Sequence, residues 1–351
     1  MPRNTWDDLR IKTTTMKKRI FLFLLLALTA TSGLLAKKQQ KPIIVAYVAS
    51  WGSQRMPDPT LMTHLNYAFG KVTDTFDGMT IQNTDFLRKV MKLKEQNPEL
   101  KIILSIGGWT AGNFSEMAAD ARCRMGFAQD CKKAVDEYGL DGIDIDWEYP
   151  SSNEAGISAS PDDIDNFTLL MRDLRQVLGK KTLLTIATIA DAKFIDFPAC
   201  MKYLDFVNIM AYDVANPPKH HTTLYRSSLS GRITVEEAVQ AHLKAGVPRH
   251  KLTLGMPLYG RGAGSNKVLG SFVKTGETGG KYKRMWDDVG KVPYLAGDDG
   301  KLLLAYDSPV SLAYKCQYIK EQDLLGAMYW ECTEDNDLLE GMRAIWLYLN
   351  K

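Results

Sequence analysis

Eight short apolar runs recur along the chain, at 43–51, 64–71, 101–109, 142–148, 183–190, 203–213, 251–261 and 325–331. Most are separated by stretches whose apolar residues return every three or four positions, at 86–96, 115–138, 161–178, 235–245, 311–321 and 338–349. Alternate side chains of a strand share a face, whereas positions i, i+3, i+4 and i+7 share the face of a helix, so the two periods predict strands and helices in alternation. The helix ends agree: Thr234 precedes Glu236 and Glu237 at one start, and Gly139, Gly179 and Gly246 sit just beyond three ends. Alternation of this kind builds a parallel α/β sheet, closed as a barrel or doubly wound. Eight strands match the barrel, so the expected fold class is α/β, a TIM (β/α)8 barrel. The interval before the last strand is long, and residues 262–304 are Gly-rich with a turn signal at Gly297-Asp298-Asp299-Gly300. They read as a small insertion of short strands between strand 7 and helix 7, laid over one rim of a single domain spanning 37–351.

The fourth run breaks the apolar rule. In Asp141-Gly142-Ile143-Asp144-Ile145-Asp146-Trp147-Glu148, an extended chain puts Asp144, Asp146 and Glu148 on one face and Ile143, Ile145 and Trp147 on the other. Carboxylates about 6–7 Å apart on one strand face repel one another, which costs stability unless protons are shared or a cationic transition state is stabilised. Chemistry is the better reading than a metal site or a solvated acidic edge, because no His or Cys is near and the run reads as buried. Asp141 is out of phase with the other three and reads as structural.

Composition narrows the classes. The chain has 351 residues with 44 Lys or Arg and 41 Asp or Glu. Met16-Lys17-Lys18-Arg19, the apolar run 20–28 and small residues up to Gly33 have the order of a secretory signal, with cleavage near Ala36 and Met16 as an alternative start. The apolar stretch is far shorter than the roughly 20 residues that span a bilayer. No stable membrane anchor after cleavage and a secreted or periplasmic location are therefore expected. Residues 1–36 hold six basic and two acidic residues, so the remainder is near neutral at −1, and nucleic-acid binding loses its electrostatic support. Five cysteines at irregular spacing indicate neither a disulfide framework nor a zinc site. No metal ligand cluster and no nucleotide-binding loop occurs, so no cofactor is expected.

In a barrel the working residues lie at the C-terminal strand ends. Those ends carry Trp51, Phe69, Trp109, Glu148, Tyr212, Arg261 and Trp330, an aromatic bowl around an acid. Aromatic faces with a few oriented polar groups suit a carbohydrate cleft. At this point the residues resemble family 18 of the glycoside hydrolases, the chitinase-like family. Its Asp-x-x-Asp-x-Asp-x-Glu signature is matched by Asp141, Asp144, Asp146 and Glu148, and its Ser-x-Gly-Gly motif by Ser105, Gly107 and Gly108. Met210, Tyr212 and Asp213 match Met-x-Tyr-Asp, while Pro257, Tyr259, Gly260 and Arg261 match the strand-seven pattern. Trp330 matches the strand-eight Trp, and Tyr47 and Phe69 in the first two strands also look like the family.

The resemblance implies a mechanism in which the 2-acetamido oxygen of the substrate, rather than a second carboxylate, attacks the anomeric carbon. Glu148 is then the general acid and base, Asp146 orients the acetamide, and Asp144 with Ser105 and Tyr47 governs the Asp146 proton. Tyr212 bonds the acetamide carbonyl, Trp330 floors the reacting sugar, and Met210 packs near the acetamide methyl. Asp213, Tyr259 and Arg261 bind sugar hydroxyls or neighbouring groups, with Trp109 and Trp51 as stacking platforms. The implied partner is chitin or another N-acetylglucosamine oligosaccharide, cut by a monomer. An endo-β-N-acetylglucosaminidase on N-glycan cores is the second enzyme reading. A sugar-binding lectin on a dead scaffold is disfavoured because Glu148 is present. The insertion is shorter than the subdomain of larger relatives, which implies a shallower groove.

Overall fold

The computed structural model describes residues 41–51, 55–262, 268–269 and 282–351; the leader read at 1–36 lies outside them. Eight parallel strands close on themselves: β1 (Ile43–Ala49), β2 (His64–Val72), β4 (Lys101–Gly107), β5 (Gly142–Asp146), β6 (Leu183–Ile189), β7 (Phe206–Met210), β8 (Leu252–Pro257) and β14 (Gly326–Trp330). Closure is made by β1, which pairs with β2 on one side and β14 on the other. The TIM barrel read from the apolar pattern is thus the observed fold.

Alternation decides which side chain goes where. Ile102, Leu104 and Ile106 of β4, Ile143 and Ile145 of β5 and Leu184 and Ile186 of β6 join the main core between barrel and helices. The opposite phase faces the lumen, where Val45, Tyr47, Ile103, Phe206 and Met328 form a second cluster. The same phase of β5 carries Asp144 and Asp146, in register with Ser105 and Gly107 of β4. Buried Trp147 stacks on Phe114, ring centroids 5.3 Å apart, and so continues the outward apolar phase one residue past the strand.

The helices are α1 (Thr84–Met91), α2 (Phe114–Ala119), α3 (Ala121–Tyr138), α4 (Asp163–Leu178), α5 (Phe197–Cys200), α6 (Val235–Lys244), α7 (Pro309–Glu321) and α8 (Glu340–Asn350). The single helix expected over 115–138 is divided at Asp120. That residue is extended, and its carboxylate accepts from the Arg122 and Cys123 N–H groups at 2.7 and 3.1 Å, ending α2 and capping α3. Thr234 forms a full capping box with Glu237 at the start of α6. All five cysteines are free thiols.

Two boundaries differ from the sequence reading. The run at 251–261 is two elements, because β8 stops at Pro257 and Gly260–Gly262 is a separate strand, β9. The run at 203–213 ends at Met210, and Asp213 lies beyond it with φ 57°. Strand β9 belongs to an antiparallel sheet with β10 (Val268–Leu269), β11 (Lys283–Asp287), β12 (Val292–Ala296) and β13 (Leu302–Ala305), in the order β10-β9-β13-β12-β11. That sheet is the insertion, with part of its span, 263–267 and 270–281, outside the described residues. A short strand β3 (Met79–Ile81) pairs antiparallel with the end of β2, which runs on past its barrel neighbour. Three residues are too few to show a period, so β3 left no mark in the apolar pattern.

A buried ion pair between Lys315 and Asp307 closes the start of α7, and Lys315 also reaches Thr222 in the long connection between β7 and α6. Lys315 is fully buried, with Nζ 2.5 Å from Asp307 and 2.8 Å from the Thr222 hydroxyl. Ser311 donates to the other Asp307 oxygen at 2.6 Å. Removing one partner strands the other charge away from water. Lys315→Met should cost about 3–5 kcal/mol in urea unfolding, and adding Asp307→Leu should recover part of that loss.

Candidate active site

A cavity of about 920 Å³ opens at the C-terminal ends of the barrel strands. It gathers the residues read from the sequence: Tyr47, Phe69, Gly107 and Trp109 from the first half, Asp146 and Glu148 from β5 and its end, then Met210, Tyr212 and Asp213, Tyr259 and Arg261, and Trp330. Asp144 and Ser105 lie beneath its floor, fully buried. Gly108 lies behind Phe69.

The lowest layer is a cage around Asp144. One carboxylate oxygen accepts the hydroxyls of Tyr47 and Ser105, both at 2.8 Å, and the other accepts Thr185 at 2.6 Å and the Asn208 amide at 3.4 Å. Thr253 donates to the Asn208 oxygen at 2.6 Å and so fixes the amide's orientation. Five strands supply these groups. Burial raises Asp144 above the usual carboxylate range, and the donors from Thr185, Tyr47, Ser105 and Asn208 pull it back. Asp146, one layer up, has no such cage. Burial, the neighbouring Glu148 and then Asp144 push it well above the usual range, and its Oδ1 has no hydrogen-bond partner among the described residues.

Glu148 is pushed up to about 7, chiefly by burial; hydrogen bonding from Tyr149 opposes the rise and the charge of Asp213 adds to it. Burial and the same carboxylates hold the Tyr47 and Tyr212 hydroxyls well above the ordinary phenol range, so both remain donors. Asp213 behaves oppositely. Burial alone would raise it, but hydrogen bonds from His221 and Arg261 hold it well below the usual carboxylate range.

Gly107 and Gly108 explain their motif. Both have positive φ, 127° and 92°, and a Cβ on Gly107 would fall on the Asp146 carbonyl while one on Gly108 would enter the Phe69 ring. The space is used, because Gly108 N–H donates to Asp146 O at 2.8 Å and locks the end of β4 to β5.

The aromatic bowl is present. Phe69 and Trp330 stack with centroids 5.7 Å apart and planes 16° apart, and Trp51, 63 % exposed, lies 5.8 Å from Phe69 and 6.1 Å from Trp330. Across the cavity Trp109, 55 % exposed, meets Tyr149 edge-on at 6.4 Å. Arg261 is placed here by β9 of the insertion sheet rather than by a barrel strand, and its guanidinium clamps Asp213 through Nε at 2.8 Å and a second nitrogen. Asp141 is far from this chemistry in role: it accepts the Ile102 N–H at 2.8 Å and pairs with Lys94 at 2.6 Å.

Sequence reading missed Thr185, Asn208, Tyr149 and His221. The first two were within reach, since each is a polar residue in the lumen-facing phase of an apolar strand. Tyr149 and His221 sit in connections without a period and carried no comparable signal.

Residues 43–335 match the profile of the glycosyl hydrolases family 18. Chitinase A1 of Niallia circulans is 36 % identical over 334 residues, a span covering 82 % of this chain and 47 % of that relative. The structure of a glycoside hydrolase family 18 N-acetylglucosaminidase from Paenibacillus barengoltzii superposes with a TM-score of 0.79 at 35 % identity, covering 88 % of this chain and 99 % of that one. A Group IV chitinase of Ostrinia furnacalis, solved in complex with allosamidin, gives 0.79 at 26 % identity, with 88 % and 99 % covered. The profile spans most of the chain, and the motifs it rests on converge on one cavity: this chain belongs to glycosyl hydrolase family 18.

Proposed function

We propose that the protein is a chitinase that hydrolyses β-1,4 links between N-acetylglucosamine units by a substrate-assisted, retaining route. The observation that carries this reading is the stack Asp144, Asp146 and Glu148, the first two buried and the third half-buried below an aromatic cleft, with that uppermost acid raised to about 7. Glu148 in that state donates a proton to the departing glycosidic oxygen and afterwards takes one from water. Asp146, with an unpartnered oxygen, accepts the acetamide N–H and stabilises the positive charge that develops as the acetamide oxygen attacks the anomeric carbon. Tyr212 donates to the acetamide carbonyl, Met210 lies against its methyl, and Trp330 stacks beneath the sugar. Tyr47, Ser105, Thr185 and Asn208 keep Asp144 from competing for the Asp146 proton. The names of the relatives, chitinases and an N-acetylglucosaminidase, support the substrate class. Export belongs to the same proposal and rests on the leader pattern ahead of Ala36; N-terminal sequencing of the mature protein reads it directly.

The deciding experiment is digestion of a chitooligosaccharide series, with product length and anomeric form followed by NMR. β-Anomeric products and no cleavage of fully deacetylated oligomers are expected; brisk cleavage of the deacetylated series would refute acetamide participation.

Because Glu148 must be protonated in its first task, kcat/KM should fall as pH rises through about 7. Glu148→Gln should lower kcat by roughly 10²–10⁴-fold while calorimetry still detects oligosaccharide binding. The same variant should be the more stable protein. The folded-state value of about 7 lies above the ordinary 4.5, so ionisation favours the unfolded chain between those pH values. The advantage of Glu148→Gln should therefore grow from about pH 4.5 to 7 and persist above it, reaching on the order of 1–3 kcal/mol in denaturant unfolding.

A further inference from the structure

Asp213 is gripped from two sides, and Arg261 supplies only one grip. On the other, Nδ1 of His221 lies 3.2 Å from Asp213 Oδ1. His221 is completely buried, its ring 5.5 Å from that of Tyr259, and its carbonyl accepts the Val214 N–H at 3.2 Å. Its proton belongs on Nδ1, where a carboxylate accepts it, because Nε2 is buried without an acceptor among the described residues. Asp213 itself lies in the left-handed region at φ 57°, just past the end of β7.

We propose that His221 is a positioning residue for proton donation by Glu148, acting through the Nδ1–H that fixes the Asp213 carboxylate against Arg261. The inference rests on the reading of Glu148 as the general acid. The Asp213 charge is one of the influences that raise Glu148, and hydrogen bonds from His221 and Arg261 lower Asp213 and keep it ionised, with the Tyr259 hydroxyl a further donor to it. The other charged or titratable groups around this pair are Asp146 and Tyr212 on the barrel side and Tyr259 and Arg261 on the insertion side. His220 faces away, 3.7 Å from Asp287. With the Nδ1–H removed, Asp213 loses one of the donors that hold it ionised and in place, and its charge bears less on Glu148. Glu148 then gives up its proton at lower pH.

The test is the pH dependence of kcat/KM on a soluble chitooligosaccharide, paired with a ¹³C NMR titration of the Glu148 carboxyl that needs no turnover. His221→Leu should move the Glu148 midpoint and the alkaline limb down by about half a unit or more, lowering kcat/KM above the midpoint about threefold. His221→Met is the second non-donor replacement should the first fail to fold. His221→Asn, whose amide can still donate to Asp213, should keep the wild-type midpoint, and His221→Leu added to Asp213→Asn should displace it no further. An unmoved NMR midpoint in the non-donor variants, or a displacement that persists in the Asp213→Asn background, overturns the proposal. The two readings separate cleanly: a wild-type protein inert on chitooligosaccharides defeats the substrate assignment, while the NMR midpoint decides the role of His221.

Discussion

Three carboxylates stacked in the lumen of a closed barrel are the constraint on which the rest of the structure depends. Ions of like sign cannot be buried a strand step apart without compensation, and each layer here meets the cost differently. Asp144 is surrounded by four hydrogen-bond donors, while Glu148 retains a proton to about 7. Asp146, between them, has neither a cage nor an ionic partner. That middle layer is the one whose carboxylate keeps an oxygen without a partner among the described residues.

Around that stack the lumen is polar, with Tyr47, Ser105, Thr185 and Asn208 gathered about Asp144. Below, Val45, Ile103 and Phe206 close the bore with apolar packing. Above, the strand ends trade packing for exposed rings. Stability is thus concentrated between barrel and helices, in the large core that Ile143, Ile145 and Trp147 join, while the inner phase of the same strand carries the carboxylates. A single five-residue strand therefore does both jobs, one on each face.

Much of this was legible because period-two alternation is a strict rule. It placed Asp144, Asp146 and Glu148 on the inner face and left Asp141 outside, where it ties down Lys94 and the Ile102 amide. The same rule, applied to β6 and β7, would have found Thr185 and Asn208. What stayed hidden has no period: the break at Asp120 depends on a local side-chain cap, β3 is too short to show alternation, and His221 reaches Asp213 from a connection whose path only tertiary packing defines. The division at Pro257 was obscured because Gly260 and Arg261 continue the chain beyond β8 but pair with β13 and β10.

That division has a consequence for how such a protein can change. Arg261 is borne by the add-on sheet, yet it grasps a carboxylate anchored to the barrel. The insertion sheet and the carboxylate at the barrel rim are therefore coupled through the Arg261 guanidinium. A longer or shorter module keeps that clasp where it presents a cation at the same height above the rim. Lineages that remodel this wall are expected to keep β9 and its pairing with β13 while varying everything stitched between them.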